Sequence, residues 1–159
     1  MKIIIFSEVK QREFIPNILL KIELEKHGYK VKILNFLDSA MFHIKIFKPD
    51  IIINNGMRSD RNFYRLFVYP KNKFGTKILT IYAEQITANI NKDGFYLNDK
   101  ILKNTDAHIV WGSGFANILM KNQVIDKNKI YITGSHRLDI LKLYDTFEAK
   151  NKLAKALKK

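Results

Sequence analysis

Residues 106–141 read DAHIVWGSGFANILMKNQVIDKNKIYITGSHRLDIL, and the alternation inside this stretch decides the fold class. Ala107–Trp111 and Ile130–Thr133 are short apolar runs, and Ser113–Asn122 between them reads as a helix. Two strands joined by a helix form a βαβ unit, which requires the strands to pair in parallel within a sheet covered by helices. Gly134 then breaks the second strand, and a further helix is expected to open at Ser135 and run to about Tyr144.

The same alternation extends outward to the N-terminus. Lys2–Phe6 reads as a buried first strand, and Ile15, Ile18, Leu19 and Ile22 follow at i, i+3, i+4 and i+7. That spacing predicts a helix with those four residues on its apolar face, Pro16 in its first turn and Gly28 at its C-terminal cap. Lys30–Asn35 is the second strand; Asp38 or Ser39 caps a short helix through about Phe47, and Pro49 forbids its continuation into the third strand, Asp50–Asn54. Phe63, Leu66 and Phe67 lie at helical spacing within Asp60–Tyr69, a helix expected to end at Pro70. Thr76–Ala83 is the fourth strand, Glu84–Asn98 a long loop suited to facing a ligand, and Asp99–Asn104 a short helix. Six strands alternating with helices predict an α/β, Rossmann-like open parallel sheet over residues 1–145, with helices on both faces. Residues 146–159 place Leu153 and Leu157 among five lysines. A basic linker helix toward a further domain, a membrane-surface or partner helix, and a frayed terminus all fit that pattern.

Composition narrows the function classes. A 159-residue chain that is 47% hydrophobic has the material for one ordinary core. It contains no cysteine, which excludes disulfides and thiolate metal sites. The longest apolar runs, such as Ile3–Phe6 and Ile51–Ile53, fall far short of the roughly 20 residues that span a bilayer, and the N-terminus carries no signal-peptide pattern, so a cytoplasmic domain is expected. The net charge of +13 is concentrated at the two ends of the chain. Such a field attracts phosphates in lipid, nucleotide or nucleic acid; lysines solvated on helix faces in a Lys-, Ile- and Asn-rich chain explain the composition equally well. No recognised nucleic-acid motif accompanies the charge, which makes nucleic acid a poor candidate partner. Walker A, GxSxG and zinc patterns are missing too, and His27, His43 and His108 lack metal-ligand spacing, so no metal site is expected.

Ligands of open parallel sheets bind outside the C-terminal ends of the strands. The residues there are Ser7, Glu8 and Arg12 after strand one; Asn54, Asn55, Gly56 and Arg58 after strand three; Glu84 and Gln85 after strand four. Gly112, Ser113 and Gly114 follow strand five, and Gly134, Ser135, His136 and Arg137 follow strand six. A helix opening at Ser135 would offer free N–H groups and the Ser135 hydroxyl to a phosphate, with His136 and Arg137 adding charge. A glycine turn with a serine cap, and Asp139 favouring the helix dipole, accounts for the same residues. The Gly112-Ser113-Gly114 turn lacks the third glycine and acidic partner of a dinucleotide site and reads first as a structural turn. Glu84, at the end of an apolar strand, is the carboxylate placed to act as a general base; a solvated loop glutamate is the plainer reading.

Three segments together carry a resemblance: MKIIIFSEVKQREFIPNILLKIELEKHGYKV (residues 1–31), KPDIIINNG (48–56) and the opening stretch, 106–141. They resemble the N-terminal domain shared, within the GT-B superfamily, by UDP-N-acetylglucosamine 2-epimerases, CDP-glycerol glycerophosphotransferases and surface-carbohydrate glycosyltransferases. The epimerases carry Gly-Asp after strand three and a His-x-Glu-Ala-Gly-Leu-Arg type segment after strand four. Here those places read Asn55-Gly56 and Tyr82 to Ile86, with only Glu84 in common. The segment Gly134 to Asp139 is closer to the Gly-Asn/Ser-Pro-Arg-x-Asp of the transferases, with His136 in place of proline and with Arg137 and Asp139 retained. The resemblance therefore implies the N-terminal, acceptor-side domain of a glycosyltransferase-like enzyme of cell-surface polysaccharide biosynthesis. It implies a nucleotide-activated sugar or CDP-glycerol as donor substrate with no cofactor, and a sugar or lipid-linked acceptor at the inner face of an anionic membrane. It also implies dependence on a C-terminal GT-B domain, in cis or in trans, for activity. A stand-alone nucleotide- or phosphosugar-binding module and an epimerase-like protein are the alternatives.

Overall fold

The computed structural model describes residues 1–37, 39–55, 63–82, 99–121 and 125–139. Six strands, β1 (Lys2–Phe6), β2 (Lys30–Leu34), β3 (Ile51–Asn54), β4 (Lys77–Ile81), β5 (Ala107–Val110) and β6 (Ile130–Ile132), form one sheet. Every pairing is parallel, in the spatial order β2-β1-β3-β4-β5-β6. The helices are α1 (Lys10–Lys26), α2 (Ser39–Phe47), α3 (Tyr69–Phe74), α4 (Asp99–Asn104) and α5 (Ser113–Met120). No helix among the described residues is long and apolar enough to cross a membrane.

The strand order explains how the helices are shared between the two faces. The β1 to β2 connection steps toward one edge, and every later connection steps the other way, so right-handed crossovers put α1 opposite the other helices. Alternate residues of each strand serve the two sides. Ile4, Phe6, Ile52 and Ile78 pack with Ile44 of α2, Leu66, Phe67 and Ile101, and this layer continues through Tyr82 and Val110 to Phe115 and Leu119 of α5. Ile3, Ile5, Val31, Ile53 and Ile81 face the other way, toward Leu20 and Leu24 of α1. Central strands buried on both sides require unbroken apolar runs, which is what Ile3 to Phe6 supplies.

Four sequence expectations are corrected. Helix α1 begins at Lys10, so Pro16 lies in its second turn rather than its first and offers no N–H to the Arg12 carbonyl. Its inward face carries Glu13, Pro16, Asn17, Leu20 and Leu24, whereas Ile15 and Ile22 stand 50% and 46% exposed. The spacing of Ile15, Ile18, Leu19 and Ile22 marked a face that mostly looks outward. Pro70 does not end its helix: a π-helical turn, Tyr64–Val68, leads into α3, where Pro70 occupies the start and needs no N–H partner. Gly75, at φ +71, closes α3 in the left-handed region. After β6, Gly134 turns the chain at φ +83, and His136 to Asp139 form a turn and a start of 3-10 helix rather than an α-helix opening at Ser135. The expected remainder of that helix, the Asp38 cap, the 84–98 loop and the 146–159 tail lie outside the described residues.

At the N-terminal edge of the sheet, Asp106 joins β5 to its neighbours. Its carboxylate accepts from Lys71 Nζ at 2.6 Å and from the Ile78 N–H at 2.9 Å, with Lys77 Nζ at 3.6 Å. Burial alone would raise this carboxyl; the Lys71 hydrogen bond, the Ile78 N–H and the two ammonium charges outweigh it and hold the carboxyl below its usual range. His108 is fully enclosed and stacked on Tyr82, whose hydroxyl lies 2.9 Å from Nδ1.

Candidate functional site

The reversal of direction between β1 and β3 creates the crevice where open α/β sheets bind ligands. Ser7 follows β1 and Asn55 follows β3. The β1–β3 pairing ends at Ile5 with Ile53, and Ser7 and Asn55 each lie two residues beyond it at the C-terminal edge. Asn54, one residue earlier, serves the sheet itself: its amide donates to the Leu79 carbonyl at 3.0 Å and to the Thr80 hydroxyl at 3.2 Å.

The turn from β1 into α1 is the usual seat of a phosphate in folds of this kind, because the N–H groups there point outward. Here a carboxylate of the chain itself takes two of the N–H groups in that turn. Glu13, only 3% exposed, folds its carboxylate back so that Oε2 accepts from Glu8 N at 2.6 Å and Val9 N at 3.3 Å. This interaction gives α1 its start in place of a capping Ser or Thr, since Val9 has no side chain to contribute. Asn17 lies one turn further along the same inward face and is wholly buried.

The chain beyond β6 completes the cluster. β6 is the sheet edge, four strand positions from β1, a separation of roughly 19 Å at normal strand spacing. Arg137 Nη2 nevertheless lies 3.8 Å from Glu13 Oε1, so the segment after Gly134 returns over the strand ends to α1. His136 comes with it, close enough to feel the charges of Glu13, Arg137 and Asp139. Burial, then the Arg137 charge, push the His136 ring below its ordinary value against the opposing pull of Asp139 and Glu13, which makes it neutral at pH 7.

Several buried polar atoms here have no hydrogen-bond partner among the described residues: Ser7 Oγ, both amide atoms of Asn17 and of Asn55, Ser135 Oγ, and both ring nitrogens of His136. An unsatisfied buried polar group costs about 1–3 kcal/mol, against a total stability of roughly 5–15 kcal/mol for a domain. Groups in this state are satisfied by bound water or by a ligand. An open groove of about 290 Å³ flanks the cluster on its β2 side, lined by Ser7, Glu8, Lys10, Phe14, Ile33 and Asn35 among others. That volume is at the lower end for small-molecule sites.

Of the residues singled out from sequence, Ser7, Glu8, Asn55, Ser135, His136 and Arg137 fall in or beside this cluster. Arg12 is exposed on the first turn of α1. Gly112 and Ser113 start α5, with the Gly112 carbonyl accepting from Ala116 N at 3.2 Å. Gly134 supplies the turn. Arg58 and Glu84, with Gly56 and Gln85, lie outside the described residues. Glu13 and Asn17 were missed. Their signal was the spacing 13, 17, 20, 24, which places them on one helix face with Leu20 and Leu24. Among the described residues no group of three or more His, Asp or Glu is arranged to hold a metal ion.

No protein-family model matches the chain, and no curated protein matches it. Among solved structures, it is similar to the UDP-GlcNAc 2-epimerase from Methanocaldococcus jannaschii, with a TM-score of 0.61 at 16% identity, over 94% of this chain and 52% of that one. The chain thus spans about half the length of that enzyme, and the likeness is one of fold: a Rossmann-like open parallel sheet. A complex of histidine kinase ThkA with response regulator TrrA also matches, with a TM-score of 0.41 at 18% identity, over 76% of this chain and 93% of that one; the likeness is too loose to bear on fold or function.

Proposed function

We propose that this chain is the acceptor-side, sugar-handling half of a GT-B-type transferase of cell-surface polysaccharide synthesis, and that the polar cradle over β1 and β3 receives the hydroxyl-bearing substrate. The observation that carries this reading is the set Asn17, Asn55, Ser7, Ser135 and His136 at or beside the crevice, each with buried polar atoms that no group among the described residues satisfies. Amides, hydroxyls and a neutral imidazole are the groups that recognise hydroxyls through paired donors and acceptors. The fold shared with half of an enzyme described as acting on UDP-GlcNAc is consistent with that chemistry.

In this reading a nucleotide-activated sugar or CDP-glycerol is the donor, held mainly by a second GT-B domain in cis or in trans, and chemistry takes place in the cleft between the two. Glu84 is the proposed base: it lies two residues beyond Tyr82, on the chain leaving the C-terminal end of β4. The acceptor oxygen forms the new bond as the donor's bond to its nucleotide breaks, the nucleotide leaves with the electron pair, and Glu84 takes the hydroxyl proton, a contribution of about 10²–10⁴ in rate. The charge of +13 would hold such an enzyme close to anionic lipid, where a lipid-linked acceptor resides.

The test is transfer of labelled sugar or glycerophosphate to an acceptor by this chain together with a donor-binding half. Glu84→Gln is expected to lower kcat by about 10²-fold or more with KM little changed. Turnover equal to that of the parent removes Glu84 from the mechanism. Failure of the chain to bind any sugar or polyol removes the reading as a whole.

A further inference from the structure

We infer that the outer face of α2 docks on an anionic lipid surface, with Phe42 and Ile46 entering the headgroup layer and a rim of lysines meeting the lipid phosphates. This deepens the proposed role at a membrane by naming the surface that makes the contact, and it stands independently of what the crevice binds.

α2 reads SAMFHIKIF over Ser39–Phe47 and is apolar on more than one side. Its inner side is accounted for by the fold, since Ala40 and Ile44 are buried against the sheet. Its outer side is not. Ser39, Phe42 and Ile46 recur at i, i+3 and i+7 and so share one face, on which Phe42 is 64% and Ile46 62% exposed. Leu37, two residues ahead of the helix, is 61% exposed. A helix that is apolar all round is ordinarily covered all round, and large apolar side chains gathered at a surface mark a contact with protein or lipid.

Charge selects the occupant. α2 contains no Asp or Glu and carries Lys45 on its exposed side; Lys48 follows at φ +47, a left-handed position where glycine is usual. Lys32 of β2 and Lys2 of β1 reach the same side, their Nζ atoms 4.7 and 5.8 Å from the centre of the Phe47 ring. Among the described residues no carboxylate pairs with any of these four ammonium groups, and Asp50 accepts from the Lys2 backbone N–H. Helix α1 offers the contrast: it exposes Ile15 and Ile22, but Glu25 and Glu23 pair there with Lys21 and Lys26 and balance the charge.

A second copy of the chain is a poor occupant, because a two-fold contact would set these lysines against themselves. A nine-residue helix is a ridge only about 13 Å long, small beside the roughly 800 Å² that each partner gives to a stable protein interface. A lipid surface needs no matching shape. It takes aromatic and aliphatic side chains at the boundary of headgroups and acyl chains and attracts each lysine held near it. Leu37 follows β2 at the C-terminal edge of the sheet, so a chain seated on this face holds the crevice edge close to the lipid.

The experiment is flotation of the full chain with vesicles of phosphatidylcholine alone and of equal parts phosphatidylcholine and phosphatidylglycerol. The chain is expected to float with the mixed vesicles, to leave them as salt rises, and to stay behind with phosphatidylcholine alone. The double variant Phe42→Gln, Ile46→Gln is expected to bind the mixed vesicles about tenfold or more weakly without a fall in Tm, since both side chains are exposed in the folded chain. Lys32→Gln with Lys45→Gln is expected to weaken binding and to flatten its salt dependence, whereas Ile15→Gln with Ile22→Gln leaves binding as in the parent. Binding of the Phe42, Ile46 variant equal to that of the parent overturns the inference, because the contact then lies elsewhere, as on the basic 146–159 segment. Equal binding to both kinds of vesicle overturns it by removing lipid charge from the recognition. Failure to float overturns it as well, and self-association of the chain that Phe42→Gln abolishes would assign the face to a second copy. The vesicles carry neither donor nor acceptor, so each of these results leaves sugar binding at the crevice to its own assay.

Discussion

The Tyr82 hydroxyl lies 2.9 Å from His108 Nδ1, and burial pushes the Tyr82 phenol well above its ordinary value, so tyrosine donates and histidine accepts. Burial, with the Lys129 charge, brings His108 down to about 4. In the unfolded chain the ring titrates near 6.5, so between about 6.5 and about 4 the unfolded state binds the extra proton and stability rises with pH. That contribution is complete above about 6.5 and falls by about 1.4 kcal/mol per pH unit through the window on acidification. Urea unfolding at several pH values is expected to show this slope, and His108→Gln to flatten it. Asp106 acts lower: its carboxyl is depressed in the folded state, so its contribution is full above the unfolded value of about 3.9 and is lost as pH falls through the lower folded one. Asp106→Asn is expected to cost about 2 kcal/mol at pH 7, read from the same urea curves, because Lys71 loses its charged partner. Gly134 takes φ +83 with nothing within 4 Å of an added Cβ, so Gly134→Ala is expected to cost about 1 kcal/mol of backbone strain alone. These roles were not legible in the sequence. Asp106 headed the stretch that decides the fold, yet it braces the sheet edge opposite the crevice, and only the pairing of β4 with β5 reveals that.

Helix α1 shows where periodicity misleads. Two faces compete along it, one with Ile15, Ile18, Leu19 and Ile22, the other with Glu13, Pro16, Asn17, Leu20 and Leu24. Hydrophobic spacing selects the first, since it contains no polar residue. The fold selects the second, because Glu13 must reach back to the N–H groups of Glu8 and Val9 to start the helix. A consequence is measurable: Ile15→Gln and Ile22→Gln are expected to change unfolding free energy by no more than about 0.5 kcal/mol, as for surface positions generally. Leu20→Ala and Leu24→Ala, packed on the β1 and β2 side chains, are expected to cost about 1–2 kcal/mol each in the same urea titration. The reverse order of effects would return the apolar stripe to the interior. The helix around Pro70 was misjudged for a related reason. Proline forbids one hydrogen bond, and the preceding π-helical turn lets α3 begin afresh where that bond is not needed.

At the scale of the whole molecule, alternation of short apolar runs with helical segments was sufficient to reach an open parallel sheet, because only that architecture buries such strands on both faces. The strand ends were legible with it, and so were most of the polar residues that gather there. What the sequence did not contain was the path of the chain after β6. Nothing in Gly134 to Arg137 announces a return across the sheet to α1, and without that return Glu13 and Asn17 have no evident business with His136 and Arg137. The site is a product of topology: a turn from one edge of the sheet is laid over the reversal between β1 and β3. The central claim, that this crossover is where a sugar-bearing substrate is held, is tested most directly by mapping backbone amide shifts over the whole ¹⁵N-labelled chain as N-acetylglucosamine is added. The account predicts that the largest changes fall on residues 7–13, on Asn55 and on residues 134–137, at the C-terminal edge of the sheet; saturable changes confined to the opposite edge, around Asp106 and Lys77, would contradict it.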